Sequence, residues 1–375
     1  MSLRTRVLVL HHRQDACPVS PPAKLSELQA KLPAETSKIV TYDGGISRGA
    51  LCNVQAFHSF NGIEQQVVDD LSAGYVEAVD RVGEITGTRP VLEVADITDA
   101  AAMESVFARH HVDAIIHFAA RKAVGESTEI PLEYFHTNVT GTVTLLQAAQ
   151  RAGVGRMVFS SSCSIYGDTR ADTLDEHSPP APANPYAWTK LACEQLIEQS
   201  CHYLDGMRAV SLRYFNPIGA HPSGRLGEDP RGVPRNVVPY LAQVAAGQRE
   251  QLQVFGGDYP TPDGTAIRDY VHVVDIAKGH VVALGHVDDA DGMQLFNLGT
   301  GEGTSVLQLH GAFEASANRP IAYQVVDRRP GDVPRLVADI SAVQAAWGWS
   351  PEYDLAAMCE DSWRFVTENP IGYSA

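Results

Sequence analysis

The chain has 375 residues, 44% of them hydrophobic and 20% charged, which describes a folded globular protein and excludes a disordered one. It is longer than the roughly 250–300 residues over which a single hydrophobic core keeps growing, so two lobes are expected. The formal net charge of −16 repels nucleic acid and anionic lipid; neither is expected as a partner, although a few local arginines can still hold a small anion.

Arg6–Val9 (RVLV) reads as a first strand. Val67-Val68-Asp69-Asp70 ends a second, and a helix follows over Gly74–Thr86. Val91–Val94 is a short strand, Ala100–His110 a helix and Ala114–Phe118 a buried strand. Leu132–Ala152 carries apolar residues at helical spacing. Met157–Phe159 is a strand, Ala187–Tyr203 a helix and Ala209–Arg213 a further strand. Short apolar strands alternating with longer helices imply βαβ units. The expected fold is α/β: a Rossmann-like parallel sheet flanked by helices, with a smaller C-terminal α/β lobe.

The texture changes after Asn216, where residues 217–235 hold four prolines and four glycines and read as loop. The expected division is a first domain over 1–213 and a second lobe over 214–375, some of whose segments return to the first. No stretch approaches the ~20 apolar residues of a membrane span. The apolar run at the N-terminus is too short for a signal peptide. The six cysteines, at positions 17, 52, 163, 193, 201 and 359, form no CxxC pair and match no zinc spacing. No metal site is therefore expected, and free thiols in a reducing cytoplasm are.

Chemistry concentrates in two segments. Tyr186 and Lys190 stand four apart at a helix start and project from one face. A free phenol titrates near 10, too high for a base at neutral pH, and a neighbouring ammonium lowers it. Tyr186 is then a candidate general base and acid. Such a pair alone also occurs as two solvated surface residues. Ser160, Ser161 and Ser162 end a buried strand, and Ser162 lies 24 residues before Tyr186. Hydroxyls at a strand's C-terminal end face the region where ligands bind in parallel sheets.

The runs FSSSCSIYG (Phe159–Gly167), NPYAWTK (Asn184–Lys190) and RYFNP (Arg213–Pro217) resemble the extended short-chain dehydrogenase/reductase family. Four further runs narrow the resemblance to its UDP-glucose 4-epimerase branch: HFAARKAVGES (His117–Ser127), AHPSGRLGEDP (Ala220–Pro230), FGGDYPT (Phe255–Thr261) and GTAIRDYVH (Gly264–His272). It extends from about Val67 to the C-terminus.

The resemblance implies reversible epimerisation at C4 of UDP-hexoses through a 4-keto intermediate, with NAD as the transient hydride acceptor. Tyr186 would take the O4 proton, Ser162 would hydrogen-bond the same oxygen, and Lys190 would tune Tyr186 and hold the nicotinamide ribose. Cofactor contacts carry over at Asp69, Asp96, Ile97, Phe118, Ala119, Lys122 and Asn138, besides Tyr186 and Lys190. Asp69, ending a strand, would take the adenosine ribose and favour NAD over NADP. Substrate positions are Ser162, Asn216, Asn236, Phe255, Arg268, Arg329 and Asp332. A diphosphate needs fixed cationic donors, and arginine supplies a planar fork; Asp332 would hold the uridine ribose. Leu336 would border the sugar's C2 substituent. A homodimer through Leu132–Ala152 and Ala187–Tyr203 is also implied.

The family's glycine loop, whose backbone N–H groups approach the pyrophosphate, does not follow Val9. His11, His12, Arg13 and Gln14 come soon after it instead, and the nearest substitute is DGGISRG (Asp43–Gly49) behind KIVTY (Lys38–Tyr42). Residues 1–66 read as a mis-assembled coding segment, as a divergent loop that still takes NAD, or as a loss of it. The last alternative describes a UDP-sugar-binding protein without catalysis. A sibling 4,6-dehydratase would place an Asp-Glu pair just after the strand hydroxyl, where this chain has Cys163 and Ser164.

Overall fold

The computed structural model describes residues 6–10 and 64–373, apart from Arg170, Val233, Ala290 and Pro330. The glycine-loop candidate Asp43–Gly49, with Cys17 and Cys52, lies outside the described residues.

The first six strands are β1 (Arg6–Leu10), β2 (Glu64–Asp69), β3 (Val91–Val94), β4 (Ala114–His117), β5 (Arg156–Ser160) and β6 (Arg208–Tyr214). Strands β7 (Asn216–Ile218), β8 (Leu252–Phe255), β9 (Ile267–Arg268) and β10 (Tyr270–His272) follow, then β11 (Met293–Leu298), β12 (Thr304–Ser305), β13 (Tyr323–Val326) and β14 (Arg335–Leu336). Seven of them form one parallel sheet in the order β11-β6-β5-β4-β1-β2-β3. The RVLV strand thus sits between β2 and β4, where the strand order reverses. Crevices at such a reversal, outside the carboxyl ends of the strands, are where open α/β sheets take ligands.

The sequence builds this sheet because a parallel strand covered on both faces reads as an unbroken apolar run. All four residues of β4, Ala114-Ile115-Ile116-His117, are buried. One face packs Ile115, Met157 and Phe159 with Met103, Leu145, Leu146 and Ile197 from the covering helices. The other packs Ile116, Val158 and Leu212 with Ile276, Ala283 and Trp349. Local signals start the helices: Asp99 accepts from Ala101 N and Ala102 N, and Asn184 accepts from Ala187 N ahead of Pro185 at the first helical position.

The chain beyond Asn216 is divided. β11 pairs with β6 inside the large sheet, and Val273–His286 packs on that sheet's face. The remainder makes three small sheets, β10-β7, β12-β9-β14 and β13-β8. Their core joins the helices Val237–Ala245, Val306–Ala317 and Leu355–Glu368 through Leu241, Leu309, Phe313 and Met358. Among the described residues no helix is long and apolar enough to cross a membrane.

The segment expected as one helix over Leu132–Ala152 is broken differently. A turn of α-helix (Pro131–Tyr134) and a π-helical stretch (Phe135–Thr140) precede the α-helix Gly141–Arg151. The wider turn brings Asn138 inward, where its amide donates to Thr189 Oγ1 at 2.9 Å and to Arg121 O at 3.1 Å. Gly141 then lies so close to Ile97 that a Cβ would come within 2.5 Å of its Cδ1.

Candidate active site

The helix Pro185–Tyr203 covers one face of the central sheet, Cys193 and Ile197 packing with Met157 and Phe159, and its first turns bury Tyr186 and Lys190. Tyr186 is 8% exposed, Lys190 3% and Ser162 8%. Ser162 lies close enough to lower the Tyr186 phenol, and its Oγ accepts from Ser164 N (3.2 Å) and Ser164 Oγ (3.0 Å). Lys190 Nζ donates to Ser160 O at 2.7 Å and lies 6.0 Å from the centre of the Tyr186 ring. The structure therefore gathers the three residues that the motifs singled out.

Their electrostatics differ from the simple expectation that the ammonium lowers the phenol. Burial pushes Tyr186 well up, Tyr214 adds to the rise, and Ser162 opposes it. Burial likewise lowers Lys190, to about 8, against the raising influence of Cys193 and Glu194. In this low-dielectric pocket desolvation outweighs the pair's mutual effect. Among these residues it is Lys190 that changes charge nearest neutral pH, while Tyr186 holds its proton until further charge arrives.

Beneath the pair lies a set of buried groups that no local motif signals. His280 Nδ1–H donates to Ile276 O (2.9 Å), which leaves Nε2 to accept from Ser160 Oγ–H (2.8 Å). The same serine opposes the rise that burial imposes on the Tyr214 phenol. Burial lowers His280 to about 4 and His117 to about 3, with Lys190's charge second for His117. Ser160 and His280 are 120 positions apart, so only the run SSS hints at this role for the first serine. Cys163, in the slot where a dehydratase carries its acid pair, is buried and its thiol is pushed up to about 12.

The substrate candidates fall in four groups. Asn216 opens β7, paired with Tyr270 of β10, and its Oδ1 is buried without a hydrogen-bond partner among the described residues. Arg268 stands in β9, opposite Leu336 of β14 and Thr304 of β12. Phe255 ends β8 beneath the Arg329 guanidinium at 4.1 Å, and Arg329 Nε lies 3.7 Å from Asp332 Oδ2. Its neighbour Arg328 turns instead to Asp258 (2.7 Å) and the Tyr259 ring. Asn236 reaches Glu228 Oε1 at 3.0 Å, and Lys122 reaches the same oxygen at 3.0 Å. Glu228 is thus a bridge between a cofactor candidate and a substrate candidate that sequence reading missed.

The cofactor candidates line the strand ends from β2 to β4. Asp69 ends β2 and accepts from Leu71 N at 2.6 Å. Asp96 is exposed just past β3 and caps Thr98 N at 2.8 Å; Ile97 is buried beside Gly141. Phe118 stacks on His280 with centroids 4.5 Å apart, and Ala119 follows it, partly buried. Asn138 clamps Arg121, accepting from its N at 2.8 Å. Asp69 and Asp96 lie toward the β2–β3 edge, away from the Tyr186 cluster in β4–β6, a separation suited to an elongated ligand laid across the strand ends. Two polar groups fit such ligands. Lys190 spends one of its three N–H donors on a described acceptor, Ser160 O, and Asn216 keeps a bare acceptor. No group of three or more His, Cys, Asp or Glu among the described residues could hold a metal ion.

A parallel α/β sheet with Ser162, Tyr186 and Lys190 at its carboxyl edge defines the short-chain dehydrogenase/reductase class. The family model described as GDP-mannose 4,6 dehydratase matches residues 60–362. The UDP-glucose 4-epimerase of Bacillus subtilis (strain 168) is 49% identical over 316 residues, covering 84% of this chain and 93% of that one. The UDP-glucose 4-epimerase of Bifidobacterium longum, solved with NAD+ and UDP, superposes with a TM-score of 0.83 at 38% identity, covering 98% of this chain and 100% of that one. The enzyme of Stenotrophomonas maltophila, solved with NAD and formylated UDP-arabinopyranose, gives 0.83 at 38% identity, covering 98% and 99%. The chain belongs to the UDP-glucose 4-epimerase family, within the NAD-dependent epimerase/dehydratase group of extended short-chain dehydrogenases/reductases.

Proposed function

We propose that the chain interconverts UDP-glucose and UDP-galactose by epimerisation at C4, with NAD as its resident cofactor. The observation that carries this reading is the buried Ser162–Tyr186–Lys190 cluster at the strand ends in a chain 49% identical to a UDP-glucose 4-epimerase. Bound NAD supplies a hydride acceptor that returns the hydride to the same carbon. Asp69, Asp96, Ile97, Phe118, Ala119, Lys122, Asn138, Tyr186 and Lys190 would hold it.

Tyr186 takes the proton from the sugar O4 and later gives it back. Ser162 stands beside it and gives the same oxygen a second hydroxyl partner. Lys190, buried on the same helix face, supplies the positive charge that a phenolate needs. Arg268 and Arg329 bind the diphosphate, Asp332 the uridine ribose and Asn216 a sugar hydroxyl, with Asn236 and Phe255 completing the wall. Burial of Tyr186 and Lys190 keeps water from the ketone. Cys163 and Ser164 offer no acid for eliminating water, which separates this site from a dehydratase.

Leu336 is buried opposite Arg268 and limits the room at the sugar's C2. UDP-N-acetylglucosamine is therefore a minor substrate. The chain works as a homodimer: Leu132, Phe135 and Tyr203 are exposed apolar side chains on two helical segments that pack together. Its compartment is the cytoplasm, in keeping with four described cysteines that are all free thiols.

The test is to feed UDP-glucose to the purified chain and separate the products. UDP-galactose is expected. A 4-keto-6-deoxy sugar nucleotide would overturn the reaction class, and binding of UDP with no product would favour a silent UDP-sugar-binding protein.

A further inference from the structure

Asp269 follows Arg268 in the GTAIRDYVH run and has no exposed surface. Its carboxylate takes four hydrogen bonds from two other segments. Oδ1 accepts from Thr300 N (2.8 Å) and Thr300 Oγ1 (2.6 Å). Oδ2 accepts from Gly301 N (2.9 Å) and Ala338 N (3.1 Å). Its backbone is spent in the same neighbourhood: the N–H donates to Leu336 O (3.0 Å), and the carbonyl accepts from Asn216 N (2.9 Å). Gly299 makes room for the carboxylate, since a Cβ there would come within 2.5 Å of Oδ2.

Four donors converge on one side chain, and only a carboxylate offers acceptors alone on both of its atoms; an amide would turn an N–H₂ toward backbone N–H groups. A buried carboxylate held by neutral donors pays a large desolvation cost. A fold that needed only filling at this point would use an apolar residue. What the carboxylate achieves is geometric: it ties the Arg268–Asp269 segment to the Thr300–Gly301 turn and to Ala338, two residues past Leu336. The first carries Arg268, and the last runs back through Leu336 to Asp332; Asn216 is held by the backbone carbonyl of Asp269 instead.

We infer that Asp269 is a positioning residue for the UDP-sugar, its carboxylate setting the placement of the segments that carry Arg268 and Leu336. It touches none of the reacting atoms, and the inference rests on the UDP-sugar reading of those positions. It predicts that damage at Asp269 falls on substrate binding and spares cofactor binding and proton transfer, whose residues Ser162, Tyr186 and Lys190 stand just past β5 and on the helix Pro185–Tyr203.

The experiment compares wild type, Asp269→Asn and Thr300→Val as full chains supplied with NAD. It measures bound NAD, calorimetric affinity for UDP, and KM and kcat for UDP-glucose. Asp269→Asn is expected to weaken UDP binding and raise KM by about tenfold or more, the weight of one hydrogen bond to a charged acceptor. Its kcat and NAD content should stay near wild type. Thr300→Val removes one donor and keeps both backbone donors at Thr300 and Gly301, so it decides the matter if Asp269→Asn does not fold; a smaller rise of the same kind, about threefold, is expected. Unchanged UDP affinity in the folded variant, or losses of NAD and kcat as large as the rise in KM, would overturn the inference. A wild type that binds UDP but forms no UDP-galactose would defeat the epimerase reading by itself, and the UDP affinities would still decide the role of Asp269.

Discussion

Tyr186 and Lys190 share one helix face and one pocket, yet burial acts on them in opposite directions, raising the phenol and lowering the ammonium to about 8. Replacing Tyr186 by Phe removes the transferable proton while keeping the ring. UDP-galactose formation should fall by about 10²–10⁴-fold, the usual weight of a general base, with bound NAD retained; near-normal turnover would place the base elsewhere. His117 and His280 supply a second test. Both are neutral in the fold, at about 3 and about 4 against an ordinary 6.5. Below pH 6.5 the unfolded chain takes up protons that the folded chain refuses, so their stabilisation is complete above 6.5 and is lost as the pH falls. At pH 5 each histidine should cost about 2 kcal/mol. Urea titrations at pH 7 and pH 5 should show that difference shrinking by about 2 kcal/mol in His280→Asn, and equal shrinkage in wild type and variant would refute it. Tyr186 and Lys190 were legible because a spacing of four sets them on one helix face, and Ser162 because the serine run ends an apolar strand and matches a family motif. Ser160 with His280, and Glu228 with Lys122, were not, because their partners meet only through the fold.

At the scale of elements, apolar runs located the strands and helices to within a few residues: the helix expected from Ala187 begins at Pro185 and the one expected from Gly74 begins at Val76. Asn184-Pro185 and Asp99 start their helices as the side-chain and φ preferences of those residues require. The π-helical stretch Phe135–Thr140 was invisible because its apolar spacing is compatible with an ordinary helix; the reason for it lies in Asn138 reaching Thr189 and Arg121. The helix Pro185–Tyr203 is tied to β6 by a buried ion pair, Arg213 Nη2 to Glu194 Oε2 at 2.7 Å, with Tyr166 also taking a hydrogen bond from Arg213. Glu194→Ala leaves Arg213 charged and unpaired in the interior. It should cost about 3–5 kcal/mol of unfolding free energy, read from a shift in the urea midpoint at unchanged slope. A loss under about 1 kcal/mol would mean that water or another group takes over the pairing.

At the scale of the molecule, alternation of strand and helix made the parallel sheet readable and a return of C-terminal segments to it was expected, whereas which segment returns was not legible, since nothing local in MQLFNL names its neighbour β6. The same limit applies to assembly. Leu132 and Tyr203 are 82% and 75% exposed on packed neighbouring helices, a surface that a second copy would cover. Sedimentation should give a dimer, and Leu132→Asp should shift it toward monomer; a wild type that sediments as a monomer at micromolar concentration would remove the assembly proposal. The family match begins at residue 60, although β1 already stands at the centre of the sheet. The central claim is therefore that this chain holds NAD and uses it on a UDP-hexose, whatever follows β1. The most direct measurement is the nicotinamide content of the purified chain before and after UDP-glucose is added, with the sugar nucleotides separated at the end. The account predicts stoichiometric NAD, recovered unchanged, and conversion of UDP-glucose to UDP-galactose. No retained NAD, and no conversion when NAD is supplied in excess, would contradict it.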